Sequence, residues 1–297
     1  MKHTLTGIFS GLLLICILLG NTWLTAYGNG LNHIQTAASI DQQKIELPVL
    51  MYHHLLKDPA RTGDYVITPT QFEQDLQCIK NQGYTTVSLQ QIVDYYEKQQ
   101  PLPEKPILIT FDDGYETVHE YAFSLLQKYH MKAVVLIIGK YTDLYSGDVV
   151  KGLSYSHMNW EQLAHMQQSG LIEVGNHTYG LHSNDGGRKG IQKLNSESVQ
   201  QYRQLLTEDI GSLNKEIIRE LDTAVLGFAY PFGAYSPESN AILQELGFKV
   251  ILTCEEKVNH LNPETHTQGD VILLNRFNRS GKYTTEEMFL KFKERKR

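Results

Sequence analysis

The stretch that most limits what this chain can fold into is residues 106–114. It reads Pro-Ile-Leu-Ile-Thr-Phe-Asp-Asp-Gly, so a short apolar run ends in two adjacent carboxylates and a glycine. A β-branched run next to proline predicts a buried strand. Because successive strand residues point to opposite faces, Asp112 and Asp113 cannot both face a core, and two charges at the end of an apolar strand are costly without compensation. A bound metal ion is one compensation, and α/β folds place their chemistry at the carboxyl ends of strands.

A second stretch bears on the choice between a metal site and an ordinary turn. Asp-Asp-Gly is also common turn and helix-cap chemistry, and a helical pattern follows it over residues 116–129. After the strand-like run 172–174, however, come His177 and His182, five positions apart. This spacing does not fit one face of a helix, so we expect a strand end and the loop after it. One aspartate and two histidines leave a coordination position open for water, which suits a catalytic Zn²⁺ or a similar divalent ion.

These residues carry a family resemblance. Residues 110–114, together with His177 and His182, resemble the first two motifs of the polysaccharide deacetylases, the NodB-homology enzymes of carbohydrate esterase family 4. Residues 229–233 resemble the third motif, and the resemblance covers residues 47–277.

Within that family the chain is most similar to one branch, which deacetylates poly-β-1,6-N-acetylglucosamine (the intercellular adhesin of biofilms). The five-residue spacing of the histidines replaces the four-residue spacing of most members. Residues 50–54 are similar to the same branch, and Ala229 stands where most members have an arginine. Many relatives with other substrates share these features, so the branch does not fix the polymer.

The resemblance implies roles for the motif residues. Asp113, His177 and His182 are expected to hold the metal, with Zn²⁺ favoured over Co²⁺ or Ni²⁺. Asp112 is expected to act as the general base. The acetyl oxygen is expected to lie against a backbone N–H of the turn at residues 230–233.

Two catalytic residues expected in the family are absent from their usual positions: the acid histidine and the arginine that orients the catalytic aspartate. Relatives place an acid histidine on a late strand, whereas residues 273–276 contain none. His53 is our candidate for the general acid because it ends the first predicted strand, and His54 is the neighbouring alternative. With Ala229 in the arginine position, Arg276 is the candidate for orienting the catalytic aspartate.

Substrate contacts and partners follow from the same comparison and from charge. We expect Tyr230, Pro231, Phe232 and Arg276 to bind the sugar. The expected partner is an N-acetylglucosamine polysaccharide at the cell surface or in the extracellular matrix. Net charge is −6 and no long basic cluster occurs before residues 291–297, which argues against nucleic acid as a partner. We expect the chain to act as a monomer.

Strand-like and helix-like segments alternate from residue 47 onward and give about seven βα units. This alternation predicts an α/β fold with a parallel sheet, either closed as a barrel or open and doubly wound. The resemblance implies the closed form, a distorted (β/α)7 barrel. Asp113, His177 and Phe232 all fall at carboxyl ends of predicted strands, where a barrel would gather them on one face. Residues 141–157 are predicted to form a loop.

The first residues are predicted to direct export. A weakly positive start precedes an almost wholly apolar run over residues 8–19, and small residues follow at 25–28. The run is shorter than the roughly 20 residues of a membrane span, so we predict a signal peptide or N-terminal anchor over 1–28. A linker over 29–46 and the deacetylase domain over 47–297 would follow. The protein is then expected to be secreted or associated with the cell surface, with the uncleaved segment as its membrane anchor in the second case.

These features predict an exported, metal-dependent N-deacetylase of N-acetylglucosamine polymers, with poly-β-1,6-N-acetylglucosamine as the favoured substrate. Three alternatives stay open from the sequence. They are a peptidoglycan or chitin-type deacetylase, an O-deacetylase of xylan-like esters, and a catalytically weak carbohydrate-binding protein.

Overall fold

The computed structural model describes residues 45–294. The strands of the fold are short, between two and six residues each. The strands are β1 (Ile45–Leu47), β2 (Val49–Tyr52), β3 (His54–Leu55), β4 (Val66–Ile67), β5 (Thr85–Thr86), β6 (Pro106–Phe111), β7 (Ala133–Ile137), β8 (Ile172–Asn176), β9 (Gly227–Ala229), β10 (Val250–Leu252), β11 (Asn259–Leu261), β12 (Ile272–Leu274) and β13 (Phe277–Asn278).

Helices fill most of the connections between these strands. The helices are α1 (Pro69–Asn81), α2 (Leu89–Lys98), α3 (Phe123–Tyr129), α4 (Gly139–Ser146), α5 (Trp160–Gln168), α6 (Val199–Leu221), α7 (Ser239–Glu245) and α8 (Thr285–Glu294). A π-helical turn, Val118–Ala122, leads into α3. Within residues 45–294, no helix is both long enough and apolar enough to cross a membrane. The predicted signal segment lies outside the described residues.

The main sheet is parallel and curves back on itself. Its strands lie in the order β12-β10-β9-β8-β7-β6-β2-β13, with β5 paired to β6. The strands β12 and β13 are separated by only Asn275 and Arg276, so they are two halves of one seventh strand. The first half pairs with β10 and the second half pairs with β2. The sheet therefore returns to its own beginning, and the predicted distorted (β/α)7 barrel is confirmed.

Two hydrophobic cores follow from the alternation of side chains along the strands. Leu108, Val134 and Leu136 belong to the core inside the barrel. Their sequence neighbours Ile109 and Val135 belong to the core between the sheet and the outer helices. Because parallel strands in such folds are covered on both faces, they read as continuous apolar runs in the sequence.

The segment 141–157, predicted as loop, begins with most of α4, so the prediction is wrong for residues 141–146, whereas residues 147–157 contain no helix or strand. The helix begins at Gly139, and the residue before it, Ile138, offers no capping side chain. Instead, the first amides are bonded by another segment: Gly139 donates to the Thr178 carbonyl and Lys140 donates to the Tyr179 carbonyl. Capping by a distant backbone leaves no signal in the local sequence, whereas the side-chain capping boxes of α1 and α2 do.

Candidate active site

The first motif turns sharply where β6 ends. Asp112 continues the strand's inward face, but Asp113 has φ +69° and Gly114 has φ +74°. A Cβ on Gly114 would lie 3.1 Å from the Ile137 side chain, so glycine suits both the conformation and the space. His157 holds the turn by donating from Nδ1 to the Asp113 carbonyl at 2.9 Å. The left-handed turn brings the Asp113 side chain to the same pocket as Asp112, which strand alternation alone would not do.

The three predicted metal ligands lie together. Asp113 Oδ1 is 3.5 Å from His177 Nε2 and 3.3 Å from His182 Nε2, and all the candidate ligand atoms lie within 4.8 Å of one another. His177 Nδ1 contacts the Ala229 carbonyl at 2.9 Å. A carbonyl only accepts, so Nδ1 carries the proton and Nε2 presents its lone pair to the cluster.

The electrostatics of this cluster fit a divalent cation. Asp113 Oδ1 is buried and has no hydrogen-bond partner among the described residues. Burial, and then the neighbouring Asp112 charge, raise the pKa of Asp113 to about 7. Burial also lowers the pKa of His182 to about 3, with the His177 ring adding to the shift. Neutral imidazoles beside an uncompensated carboxylate form the donor set that Zn²⁺ and similar ions take.

Asp112 is held by the arginine that the sequence offered as a candidate. Arg276 Nη1 donates to Asp112 Oδ1 at 2.6 Å and Nη2 donates to Oδ2 at 2.8 Å. The arginine is fully buried, and it also donates from Nε to the Thr253 carbonyl at 2.9 Å. Burial alone would raise the pKa of Asp112, but the Arg276 guanidinium and the His177 ring outweigh it and hold that pKa well below its usual range. Asp112 is therefore ionised at neutral pH.

A cavity of about 600 Å³ opens above these groups. Its floor contains Asp112, Asp113, His177 and His182, and His53 also lines it. This volume lies within the usual range for small-ligand pockets, roughly 300–1,000 Å³.

The side chains of the two histidines that follow β2, His53 and His54, point in different directions. His53 lines the cavity, and its Nδ1 is buried without a hydrogen-bond partner among the described residues. Its ring lies 4.7 Å from that of Tyr65. His54 is turned away, with Nδ1 2.7 Å from Thr117 Oγ1 and its ring stacked on Tyr115. Of His53 and His54, therefore, only His53 is placed to act on a ligand in the cavity.

The third motif contributes one side chain to the cavity. Phe232 is 40% exposed, and its ring lies 4.4 Å from that of His182. Tyr230 is buried, stacks on Tyr235 at 4.5 Å and donates its hydroxyl to Asn240. Pro231 is buried as well.

Of the four residues expected to bind the sugar, three are not placed to contact a substrate in the cavity. The Tyr230, Pro231 and Arg276 side chains are buried away from the cavity, and only Phe232 lines it. Packing of Tyr230 against a neighbouring helix and pairing of Arg276 with Asp112 decide these orientations. Both are tertiary effects that the motif pattern does not encode.

Most N–H groups of the turn at residues 230–233 already donate a hydrogen bond or are absent. The Tyr230 N–H donates to the Leu252 carbonyl and the Gly233 N–H donates to the Tyr230 carbonyl. Pro231 has no N–H. The Phe232 N–H forms no backbone hydrogen bond within the part of the chain that the structure describes, so it is the amide of this turn that remains available to a ligand.

Each motif contains one strained residue. Among residues 45–294, six residues other than glycine have positive φ: Gln99, Asp113, His130, Thr178, Asp222 and Phe232. Gln99, His130 and Asp222 are helix C-caps, where this conformation is usual. The other three lie one in each motif, and such a conformation costs roughly 1–3 kcal/mol at a residue with a side chain. Strain that recurs only at these motifs is typical of a functional site.

Sequence reasoning missed several residues of the cavity wall. Cys254 and Glu256 follow the carboxyl end of β10, so the strand-end rule could have found them. Asn184 and Lys189 come from the glycine-rich loop after the second motif. Tyr65 lies just before β4, and no feature of its sequence neighbourhood indicates a role at the site.

Comparisons with known proteins agree with this geometry. The family model described as polysaccharide deacetylase matches residues 99–251, just over half of the chain. The chain is 24% identical over 197 residues to the poly-beta-1,6-N-acetyl-D-glucosamine N-deacetylase of Staphylococcus aureus strain MSSA476, covering 65% of this chain and 63% of that protein. It is also 24% identical over 225 residues to the Escherichia coli K12 protein of the same name, covering 69% of this chain and 33% of that protein. The chain thus spans less than two thirds of the length of these relatives.

A solved structure extends the similarity over most of the fold. IcaB from Ammonifex degensii is 29% identical, with a TM-score of 0.69, and the match covers 84% of this chain and 98% of that one. The predicted family resemblance is confirmed, and the chain belongs to the polysaccharide deacetylase family.

Proposed function

We propose that this protein is an exported, metal-dependent N-deacetylase that removes acetyl groups from N-acetylglucosamine units of a surface polysaccharide. The favoured polymer is poly-β-1,6-N-acetylglucosamine, since the curated relatives that carry this polymer in their name match 65–69% of this chain. The observation that carries the proposal is the Asp113–His177–His182 cluster beside Asp112, which Arg276 holds from below, at the floor of one cavity.

Asp113, His177 and His182 would hold the ion, with Zn²⁺ favoured over Co²⁺ or Ni²⁺. A divalent ion bound there supplies Lewis acidity, which lowers the pKa of a bound water toward ~7. The unpartnered Asp113 oxygen and the Ala229-oriented His177 ring are the features of this chain that favour such binding.

Asp112 would act as the general base. Both of its oxygens are held by Arg276, so the carboxylate is fixed in place and ionised. A carboxylate of low pKa is a weak base, and it takes a proton efficiently only from an acidified water. The base and the metal cluster therefore depend on each other.

The Phe232 N–H would hold the acetyl oxygen as negative charge develops on it. Preorganised backbone donors of this kind stabilise tetrahedral intermediates of acyl transfer. Attack by water on the acetyl carbon and cleavage of the C–N bond release acetate and a free amine.

His53 would give the proton that the leaving amine needs. Burial lowers the pKa of His53 to about 4, so its ring is neutral in the free site at neutral pH. The ring would take up a proton from bulk water as negative charge builds on the bound substrate and pass it to the leaving amine, while the proton that Asp112 takes from the attacking water returns to bulk water. Nδ1 is buried, so Nε2 is the nitrogen that would exchange the proton.

The proposal also includes the predicted domain plan. Residues 1–28 would be the export signal or anchor, 29–46 a linker and 47–297 the catalytic domain. A secreted or surface-attached enzyme would meet its polymer outside the cell, and the amines it frees would bind the negatively charged cell surface.

The test is acetate release from poly-β-1,6-N-acetylglucosamine by the purified chain, measured with Zn²⁺, with Co²⁺ and after chelation. We expect release that chelation abolishes and added metal restores. His182→Gln should remove it, whereas His260→Gln, an exposed histidine on β11, should not. Parallel reactions with peptidoglycan, chitin oligomers and acetylated xylan distinguish the polymers. Polymer binding without acetate release from any of them would favour a carbohydrate-binding protein instead.

A further inference from the structure

The segment between the two metal-site histidines is bonded on both sides by other elements. It contains four residues, 178–181, and it connects His177 at the end of β8 with His182. On one side its carbonyls at Thr178 and Tyr179 accept from the first two amides of α4, at 3.1 and 3.0 Å. These contacts set where the segment leaves the sheet.

On the other side the segment is bonded to α6. Asn176 Oδ1 accepts from the Thr178 N–H at 2.8 Å, and Asn176 Nδ2 donates to Asn214 Oδ1 at 2.8 Å and to the Ile210 carbonyl at 3.0 Å. Asn176 is completely buried. Thr178, which follows His177, has φ +76°, so the chain reverses direction immediately after the first ligand.

Asp209 on α6 completes this arrangement. Its Oδ1 accepts from the Tyr179 N–H at 2.9 Å and its Oδ2 accepts from the Gly180 N–H at 2.8 Å. One carboxylate therefore spans two consecutive amides in the middle of the segment. Charge-assisted bonds of this kind are roughly twice as strong as bonds between neutral groups. They fix the segment two residues before His182.

We propose that Asp209 is a positioning residue for the metal site, which sets the place of His182 by clamping the Tyr179 and Gly180 amides. This inference rests on the proposed function, since it takes the Asp113–His177–His182 cluster as the metal site. Asp209 acts on backbone two residues away from His182, so its effect is on the preorganisation of the ligand.

The test is the Zn²⁺ affinity of the purified chain and of Asp209→Asn, measured by competition with a chromophoric chelator. Asparagine has the same shape but replaces one acceptor oxygen with an NH₂ group, which would face a backbone N–H. We expect Zn²⁺ binding to weaken about 10- to 100-fold, as for other residues that orient metal ligands. The visible absorption of bound Co²⁺ should change as well, because that spectrum reports ligand geometry.

Glu208→Gln is the matched control, since Glu208 is the exposed neighbour on the same helix and bonds to Gln204. It should bind Zn²⁺ within about twofold of the parent. If Asp209→Asn does not fold by circular dichroism, Asp209→Glu replaces it, because it keeps the charge but displaces the carboxylate by one methylene.

The outcomes separate the two proposals. A folded Asp209 variant with parental Zn²⁺ affinity and an unchanged Co²⁺ spectrum overturns the positioning role, even if its melting temperature falls. A parent chain that binds no Zn²⁺ overturns the proposed metal-dependent function instead.

Discussion

Two buried arginine–aspartate pairs differ in their surroundings, although their arginines, Arg276 and Arg279, are only three residues apart in the chain. Arg276 binds both oxygens of Asp112 on the floor of the cavity. Arg279 donates to both oxygens of Asp75 on α1, at 2.7 and 3.2 Å. Both arginines and both aspartates are buried.

The surroundings of the two aspartates differ. Asp75 also accepts from the hydroxyls of Tyr52 and Thr285, at 3.1 and 2.6 Å, so its oxygens are shared among protein donors. Asp112 lines the cavity and lies beside the metal cluster. The same ion pair thus encloses its carboxylate in protein at Asp75 and leaves it facing the cavity at Asp112, where we propose a chemical role. Four predictions test this contrast, from the largest expected effect to the smallest.

Asp112→Asn should lower kcat for acetate release by about 10²- to 10⁴-fold, the usual contribution of a general base. The reason is that the amide cannot take a proton from water. Zn²⁺ affinity, measured alongside, should change far less, because Asp112 is not in the ligand cluster. Full activity in this variant would remove Asp112 from the assigned role.

Arg279→Met should lower the free energy of unfolding by about 3–5 kcal/mol, because Asp75 is left as a buried charge without its counter-charge. Urea denaturation followed by circular dichroism measures this loss. The kcat of the folded variant should stay within about twofold, since the pair lies outside the cavity.

Lys282→Met is the control for that variant. It breaks the nearby pair with Asp64, whose side chains are 62% and 57% exposed, and the loss of stability should be much smaller. If Arg279→Met instead lowered kcat as much as Asp112→Asn without changing stability, the division between the two pairs would be wrong.

Asp113 extends the comparison because it is a largely buried carboxylate, 13% exposed, that forms no ion pair with an arginine among the described residues. Burial and the Asp112 charge raise its pKa to about 7, so below that pH a proton competes with the metal. Zn²⁺ affinity should fall about tenfold per pH unit below pH ~7 and level off above it, with about one proton released on binding at low pH. Calorimetry in buffers of different ionisation enthalpy measures the proton. The low pKa of His182, about 3, keeps that ring from contributing over this range. Affinity that stays constant between pH 5.5 and 7 would contradict the prediction.

Tyr52→Phe should have the smallest effect, about 1–2 kcal/mol in the free energy of unfolding. It removes one of the donors to Asp75 and leaves the Arg279 pair in place. The same urea titration applies, with Tyr155→Phe at an exposed tyrosine as the control. A loss as large as that of Arg279→Met would mean that the hydroxyl, rather than the ion pair, holds α1.

The positions of the three ligand residues could be predicted because the order of parallel strands largely determines them. Parallel strands place their carboxyl ends at one edge, so residues that follow β6 and β8 must lie near each other wherever the intervening chain runs. The chemistry of one aspartate and two histidines then points to a metal.

The remaining features depend on contacts between distant segments. The ends of α4 are set by the backbone of residues 178 and 179, and the direction of the Tyr230 ring is set by Tyr235 and Asn240. The left-handed turn at Asp113 reverses the face that strand alternation assigns to it. Local sequence carries no signal for any of these, since each is decided by packing in the finished barrel.

The split seventh strand has a consequence for the order of folding. Asp112 and Arg276 are 164 residues apart, and the arginine lies between the two half-strands that close the barrel. A contact between such distant residues forms late, after the entropy of closing a long loop has been overcome. During folding, Asp112 therefore gains its counter-charge at the step that closes the sheet. If Asp112 is the base that we propose, a partly folded chain would have no competent base, and activity itself would report that the barrel is complete.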